Sequence, residues 1–161
     1  MKNTILTTLC YVKKGGKTLM LHKNKKPGDV HQGKWNGLGG KFFPGETPEE
    51  CAKREVWEES GLTIRNPILR GVLTYPMFLH GSDEYVFIFT ATKFSGRLID
   101  SPEGDLKWVQ DSRLMELSLW EGDPLFWEWM KDGRFFSGKM VYRGERLLRH
   151  EVTFYGTRRR A

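Results

Sequence analysis

The chain has 161 residues, of which 39% are hydrophobic and 29% are charged, and its formal net charge is +6. This length and apolar content predict one globular domain with a hydrophobic core, spanning residues 1–157 and followed by a basic tail at residues 158–161. The positive charge favours an anionic partner, while two cysteines without zinc-like spacing argue against a disulfide framework or a zinc site.

The N-terminal segment predicts a β-hairpin, with strands at residues 5–12 and 18–21 joined by Gly15 and Gly16. The same segment is too polar and too short an apolar run for a signal peptide or a membrane span, so we expect a cytoplasmic protein. A basic loop follows, in which Lys23 and its neighbours either meet phosphates or only keep the loop solvated.

The segment at residues 33–41, GKWNGLGGK, indicates a close approach of the backbone to a ligand. Gly39 and Gly40 leave room for a bound ion or phosphate where a side chain would obstruct it. Asn36 carries both an amide donor and a carbonyl acceptor, which suits the edge of a nucleobase, although a turn asparagine would look the same.

The segment at residues 48–60 has the signals of a helix at both ends. Thr47 and Pro48 supply a capping residue and a first-turn proline, and Gly61 can terminate the helix in the left-handed conformation. Glu55, Glu58 and Glu59 then share one face, since they are three and four positions apart. Like charges at these spacings repel, so we expect Arg54 and a divalent cation such as Mg²⁺ to offset them.

This helix and the loop before it resemble the Nudix box at every defined position: Gly40, Glu46, Arg54, Glu55, Val56, Glu58, Glu59, Gly61 and Leu62. Many fixed positions at this spacing rarely coincide by chance, so the motif is specific for the family. The resemblance implies an α/β fold of the Nudix type, an α/β/α sandwich. Its expected parts are a curved mixed β-sheet, a catalytic loop–helix–loop and a C-terminal β-hairpin.

The second half of the chain predicts strands at residues 69–78, 84–94 and 106–109, and one helical turn at residues 111–115. Asp123 is expected to cap a helix that Pro124 opens and that ends near Lys131. That helix should cover the sheet on the side opposite the first helix. A closing hairpin is expected from strands at residues 135–142 and 147–155.

Several segments further resemble the MutT-type purine nucleoside triphosphate pyrophosphohydrolases, namely KWNGLGGK, EESGLT, the acid Glu103 ahead of a strand with a tryptophan, and Trp120 followed by Asp123. By that resemblance, Trp120 stacks on the base while Asn36 and Asp123 bind its edge. The full substrate-binding set implied is Thr8, Lys23, Asn36, Gly40, Lys41, Trp120 and Asp123. One departure concerns the paired aspartates of the mammalian homologue that removes oxidised purine nucleotides, because Gly122 here occupies the first of the two places. Helix capping alone is the alternative role for Asp123.

The resemblance also implies the chemistry. Mg²⁺, with Mn²⁺ as a substitute, would be held by the Gly39 carbonyl, Glu55, Glu58, Glu59 and Glu103, and would polarise the phosphorus under attack. Glu103 has the alternative of being an ordinary loop acid. We expect Glu55 to act as the general base, with Arg54, Glu58 and Glu59 completing the catalytic set. The products would be a nucleoside monophosphate and pyrophosphate.

Two rival functions stay open at the level of sequence. One is hydrolysis of another nucleoside diphosphate derivative, such as ADP-ribose, a nucleotide sugar or a dinucleoside polyphosphate. ADP-ribose enzymes of the common type carry an extra N-terminal dimerisation segment, which favours the triphosphate for this chain. The other is a nucleotide-binding or RNA-binding module without turnover, which the retained glutamates disfavour. We therefore expect a nucleotide partner rather than a nucleic acid, no membrane partner, and a monomer.

Overall fold

The computed structural model describes residues 3–157, so the expected basic tail at residues 158–161 lies outside the described residues. The strands are β1 (Thr4–Lys14), β2 (Lys17–Lys23), β3 (Trp35–Asn36), β4 (Thr63–Arg65), β5 (Ile68–Leu79), β6 (Ser82–Ala91), β7 (Lys93–Ser95), β8 (Gly104–Gln110), β9 (Phe135–Arg143) and β10 (Arg146–Tyr155). The helices are α1 (Pro48–Ser60) and α2 (Asp123–Lys131), with a 3₁₀ helix at Asp111–Glu116. Within residues 3–157, no helix is long and apolar enough to cross a membrane.

The main sheet is mixed, as the Nudix resemblance implies. Its strand order is β10-β9-β5-β6-β1-β2-β3, with β8 also paired to β2. The β1–β6 and β5–β9 pairs are parallel, and the other pairs are antiparallel. The closing hairpin therefore extends the sheet through β9, and a separate two-stranded sheet joins β4 to β7.

Alternation along β1 gives the sheet two buried faces, because successive strand residues point to opposite sides. Cys10 and Val12 pack in the core that contains Ala52 and Val56 of α1. Tyr11 packs in the core that contains Phe126 of α2. The two helices therefore cover opposite faces, as predicted, and burying a side chain such as Phe126 contributes about 1.5–3 kcal/mol.

Helix α1 begins and ends where its sequence signals predict. The Thr47 hydroxyl accepts a hydrogen bond from the Glu50 backbone N–H at 3.1 Å. Gly61 adopts a φ of 80°, and its N–H donates to the Trp57 carbonyl at 2.8 Å. A Cβ at Gly61 would lie 2.6 Å from the Arg97 carbonyl oxygen, so both backbone and space require glycine there.

Helix α2 begins one residue earlier than expected, and the predicted capping role of Asp123 is wrong. Gly122 is the N-cap, and within the described residues no side-chain hydrogen bond caps this helix. Asp123 is the first helical residue instead, with a buried side chain. The predicted strand at residues 84–94 is also divided, since β6 ends at Ala91 and β7 pairs with β4.

Candidate active site

The paired glycines lie between β1 and α1, and the packing leaves no room for side chains. The Thr8 N–H donates to the Gly40 carbonyl at 2.9 Å, which fixes this segment against β1. A Cβ at Gly39 would fall 1.8 Å from the Thr8 carbonyl oxygen, and one at Gly40 would fall 2.6 Å from the Glu55 carboxyl carbon. Gly39 must therefore be glycine, because a Cβ there would meet backbone atoms, and the Gly40 backbone lies directly against the Glu55 carboxyl group of α1.

Glu59 is the buried carboxylate of that face. Its residue is 3% exposed, and one oxygen accepts the Gly39 N–H at 2.8 Å. Burial raises the pKa of Glu59 to about 7, and Glu55 and Glu103 add to the increase while Lys23 and the Gly39 N–H oppose it.

Lys23 connects the helix to Glu103, which lies far away in sequence. The Lys23 Nζ is 3.5 Å from Glu59 Oε2 and 3.7 Å from Glu103 Oε2. Lys26 forms a second ion pair with Glu103, with 2.5 Å between Lys26 Nζ and Glu103 Oε1. Lys23 therefore links Glu103, in the loop that precedes β8, to Glu59 on α1.

Arg54 organises the remaining carboxylates. Its guanidinium makes a bidentate ion pair with Glu46, with N–O distances of 2.7 and 2.9 Å. One further nitrogen donates to Glu55 Oε1 at 2.6 Å and to Glu58 Oε2 at 3.2 Å. The planar guanidinium fork therefore holds three acids at once, which a single ammonium group could not do.

The carboxylates of Glu55, Glu58, Glu59 and Glu103 are called the glutamate wall below. This wall offers only oxygen atoms as donors, which suits a hard divalent cation. Within residues 3–157, no three His, Cys, Asp or Glu side chains already converge as a ligand cluster. The positive charges of Lys23 and Arg54 lie among the carboxylates instead. Among Glu55, Glu58 and Glu59, Glu58 is the most open, with 44% of its side chain exposed. The residues fit a cation in their chemistry, and Lys23 supplies part of the neutralisation that a cation would provide.

A cavity of about 290 Å³ is lined by Lys23 and Gly39, which contact Glu59, but Glu55, Glu58, Glu59 and Glu103 are not among its lining residues. Every residue predicted to bind substrate also lines this cavity, namely Thr8, Lys23, Asn36, Gly40, Lys41, Trp120 and Asp123. The structure therefore places side chains from β1, β3 and the start of α2 around one space. Their roles in binding stay predictions, whereas their proximity is a property of the fold.

Some of the residues that line the cavity carry buried polar groups. Asn36 Nδ2 is buried and has no hydrogen-bond partner among the described residues. Burial raises the pKa of Asp123 to about 8, opposed by a hydrogen bond from the Trp120 backbone and by Lys34. Trp120 stands nearly perpendicular to Phe78 and Tyr142, with ring centroids 5.1 and 5.5 Å away. An unpaired amide and a carboxyl group beside an aromatic ring can bind a flat, polar ligand.

Glu84 and His31 are among the polar residues of this cavity that sequence reasoning missed. Glu84 is 7% exposed and accepts a hydrogen bond from the Thr7 hydroxyl at 2.7 Å, and burial raises its pKa. Glu84 lies two residues before buried Val86 in β6, so both side chains point to the same face of the sheet, and this alternation could have revealed that Glu84 is buried. His31 also lines the cavity, but it lies in a turn with no periodicity, and nothing in its local sequence distinguishes it.

Comparisons with known proteins identify what the chain as a whole is similar to. A family model described as the NUDIX domain matches residues 4–131. A Danio rerio protein named oxidized purine nucleoside triphosphate hydrolase is 32% identical over 89% of this chain and 90% of its own length. The Mus musculus protein of the same name is 31% identical over 90% of this chain and 91% of its own length.

A solved structure shows the same architecture. It is the crystal structure of a MutT protein from Bacillus halodurans, with a TM-score of 0.81 and 32% sequence identity. The match covers 92% of this chain and 97% of that protein.

Proposed function

The chain belongs to the Nudix hydrolase family, and from that premise we propose that it is a magnesium-dependent pyrophosphohydrolase of purine nucleoside triphosphates. The proposed substrates include oxidised purines such as 8-oxo-dGTP, and the products are the monophosphate and pyrophosphate. This activity would serve nucleotide-pool sanitation. The relatives in fish and mouse are named for hydrolysis of oxidised purine nucleoside triphosphates, which supports this substrate class.

The observation that carries the proposal is that one cavity is lined both by the predicted base-binding residues and by residues that contact Glu59. Trp120, Asn36 and Asp123 line this cavity, as do Lys23 and Gly39, which contact the Glu59 carboxylate. Stacking on an aromatic ring contributes of order 1–3 kcal/mol and accepts any base, so the polar groups must choose among bases. A nucleotide bound along this cavity would present its phosphates to the lysine and the glutamates.

Nudix hydrolases generally use divalent metal ions, and here Glu55, Glu58, Glu59, Glu103 and the Gly39 carbonyl would hold Mg²⁺, with Mn²⁺ as a substitute. When bound, the ion supplies neutralisation of phosphate charge and polarisation of the phosphorus. Glu59 is oriented for this role by the Gly39 N–H, and Lys23 adds a positive charge at the phosphate end.

Glu55 is the proposed general base. Burial raises its pKa, while the hydrogen bond from Arg54 opposes that increase and holds the carboxylate in one orientation. A carboxylate with a raised pKa is a better proton acceptor for an attacking water than a fully solvated one. Arg54 is itself held by Glu46, so the orientation of the proposed base depends on the ion pair between Arg54 and Glu46.

The test is a substrate screen on the intact chain with Mg²⁺. It compares canonical and oxidised purine triphosphates, pyrimidine triphosphates, ADP-ribose, nucleotide sugars and capped RNA, with pyrophosphate and phosphate measured separately. We expect the highest kcat/KM for a purine triphosphate, with pyrophosphate as the product and no turnover after chelation. Preferential cleavage of ADP-ribose or RNA, or binding without turnover, would refute the proposal in favour of the rival functions.

A further inference from the structure

A turn at residues 28–31 forms one wall of the cavity, although sequence reasoning treated this region as a basic loop. Gly28, Asp29, Val30 and His31 all line the cavity. The turn is internally fixed, because the Asp29 carboxylate accepts the His31 backbone N–H at 2.9 Å and the Gln32 N–H donates to the Asp29 carbonyl at 2.9 Å. Side chains of aspartate stabilise turns in this way. His31 is therefore held at a defined place on the wall.

His31 makes a directional contact with the predicted stacking residue. The Trp120 indole N–H donates to His31 Nδ1 at 2.9 Å, and the two rings are at 86° with centroids 5.7 Å apart. An indole nitrogen can only donate, so Nδ1 must be the acceptor and the imidazole must be neutral. Burial lowers the pKa of His31 to about 4, with Lys23 lowering it further and Asp29 raising it. The imidazole consequently keeps its acceptor throughout the neutral range.

The other contacts of the Trp120 ring are not directional to the same degree. Phe78 and Tyr142 meet it edge to face, and the Lys34 ammonium lies 5.3 Å from the ring centroid. Ring contacts of this kind tolerate tilting, whereas a hydrogen bond weakens steeply with angle. Tyr142 anchors the adjacent turn, since its hydroxyl accepts the Gly122 N–H at 2.7 Å. The hydrogen bond to His31 is therefore the contact that sets the rotation of the indole plane.

We infer that His31 is a positioning residue that fixes the plane of Trp120, so that stacking of a nucleobase in the cavity depends on a hydrogen-bond acceptor at position 31. The inference deepens the proposed function and rests on it for the nature of the ligand. Among the described residues, His31 forms hydrogen bonds with Asp29 and Trp120 and none with the glutamates of α1. Its loss should weaken substrate binding without slowing the chemical step.

The test uses two substitutions that differ in the acceptor. His31→Phe keeps a ring but removes the acceptor, and leaves the indole N–H without its partner. His31→Asn keeps an acceptor, because its Oδ1 stands where Nδ1 stands along the side chain. With the best purine triphosphate of the screen, His31→Phe should raise KM about tenfold with kcat within about twofold. His31→Asn should restore KM to within about threefold of the original protein.

A double-mutant cycle separates this role from a general effect on the fold. In the Trp120→Phe background the indole N–H is absent, so adding His31→Phe should change KM little. The matched control is His150→Phe, the same substitution on the exposed strand β10, which should leave both kinetic constants unchanged. An equal increase in KM from His31→Phe in both backgrounds would overturn the inference.

A second measurement keeps the inference testable independently of turnover. The chain has six tryptophans, and the indole N–H signal of Trp120 is identified by its loss in Trp120→Phe. In the unliganded protein that signal should move upfield in His31→Phe and stay near its place in His31→Asn. An unmoved signal in His31→Phe would overturn the inference. No turnover of any nucleotide together with the expected shift would instead refute the proposed function and uphold the contact.

Discussion

Replacing Arg54 with lysine tests whether one guanidinium organises the acidic wall. Lysine keeps the positive charge but loses the fork that meets Glu46 through two bonds and Glu55 through a third. One ammonium can satisfy one carboxylate well, so about two charge-assisted hydrogen bonds are lost. The cation contact with Phe43, now 3.6 Å from the guanidinium carbon to the ring centroid, is weakened as well.

The magnitude follows from how exposed these groups are. Charge-assisted hydrogen bonds contribute about 1.5–3 kcal/mol when buried, whereas exposed ion pairs contribute about 0–1 kcal/mol. The Arg54, Glu46 and Glu55 side chains are 17%, 13% and 14% exposed, so we take a value between the two, about 1 kcal/mol for each bond. Arg54→Lys should therefore lower the free energy of unfolding by about 2 kcal/mol, which is a fall in Tm of about 6 °C for a chain of this size.

The assay combines urea unfolding, thermal melting and steady-state kinetics. Arg54→Lys should also lower kcat about tenfold or more, because the Glu55 carboxylate loses the group that orients it. The matched control is Arg113→Lys, which alters a surface ion pair with Glu116 whose side chains are 67% and 62% exposed. That control should melt like the original protein. If Arg54→Lys melted and turned over like Arg113→Lys, Arg54 would not organise the wall.

Two further predictions concern the acids. Glu58→Gln and Glu59→Gln should each reduce Mg²⁺-dependent turnover on the order of a hundredfold or more. Unchanged rates in both variants would contradict the metal assignment. In the absence of metal, only Glu59→Gln should also change the free energy of unfolding, because the Glu59 side chain is 4% exposed whereas that of Glu58 is 44% exposed. Because the folded-state pKa of Asp123 is about 8 against an ordinary value of 3.8, the folded chain binds the extra proton between these pH values, and this contribution to stability falls as pH rises through that window. Asp123→Asn should therefore reduce the fall in Tm between pH 5 and pH 8.5, and it should raise KM for the purine triphosphate. If Tm fell more steeply with pH in the variant than in the original protein, the argument that burial raises the pKa of Asp123 would be refuted.

The α1 region could be predicted in detail because its determinants are local. Thr47, Pro48 and Gly61 set the ends of the helix through contacts within one turn, and the structure has the same bounds. The spacing of Glu55, Glu58 and Glu59 likewise placed them on one face, since helix geometry fixes that relation without the rest of the chain. The mixed sheet followed from the family resemblance and the closing hairpin from the strand pattern of residues 135–155, and the fold confirms both.

The prediction for Asp123 failed for a reason that local sequence hides. An aspartate before a proline is typical of a helix cap, but here the chain turns at Gly122, where a Cβ would lie 2.4 Å from the Met140 sulfur of β9. Packing between α2 and the closing hairpin thus moves the cap to the glycine and buries the Asp123 carboxyl in the cavity. Local sequence does not reveal this contact between Gly122 and Met140, because the two residues belong to different elements of the fold.

The sequence by itself determined the acidic helix, its ends, the glycine pair beside it and the family to which they belong, because each depends on spacing along the chain. Only the tertiary structure decided which distant groups meet. It brought Lys23 between Glu59 and Glu103, placed Glu84 on the cavity wall and joined His31 to Trp120, which is 89 residues away in sequence. These contacts depend on the pairing of non-adjacent strands and on the packing of α2 against the sheet, and no local periodicity encodes either.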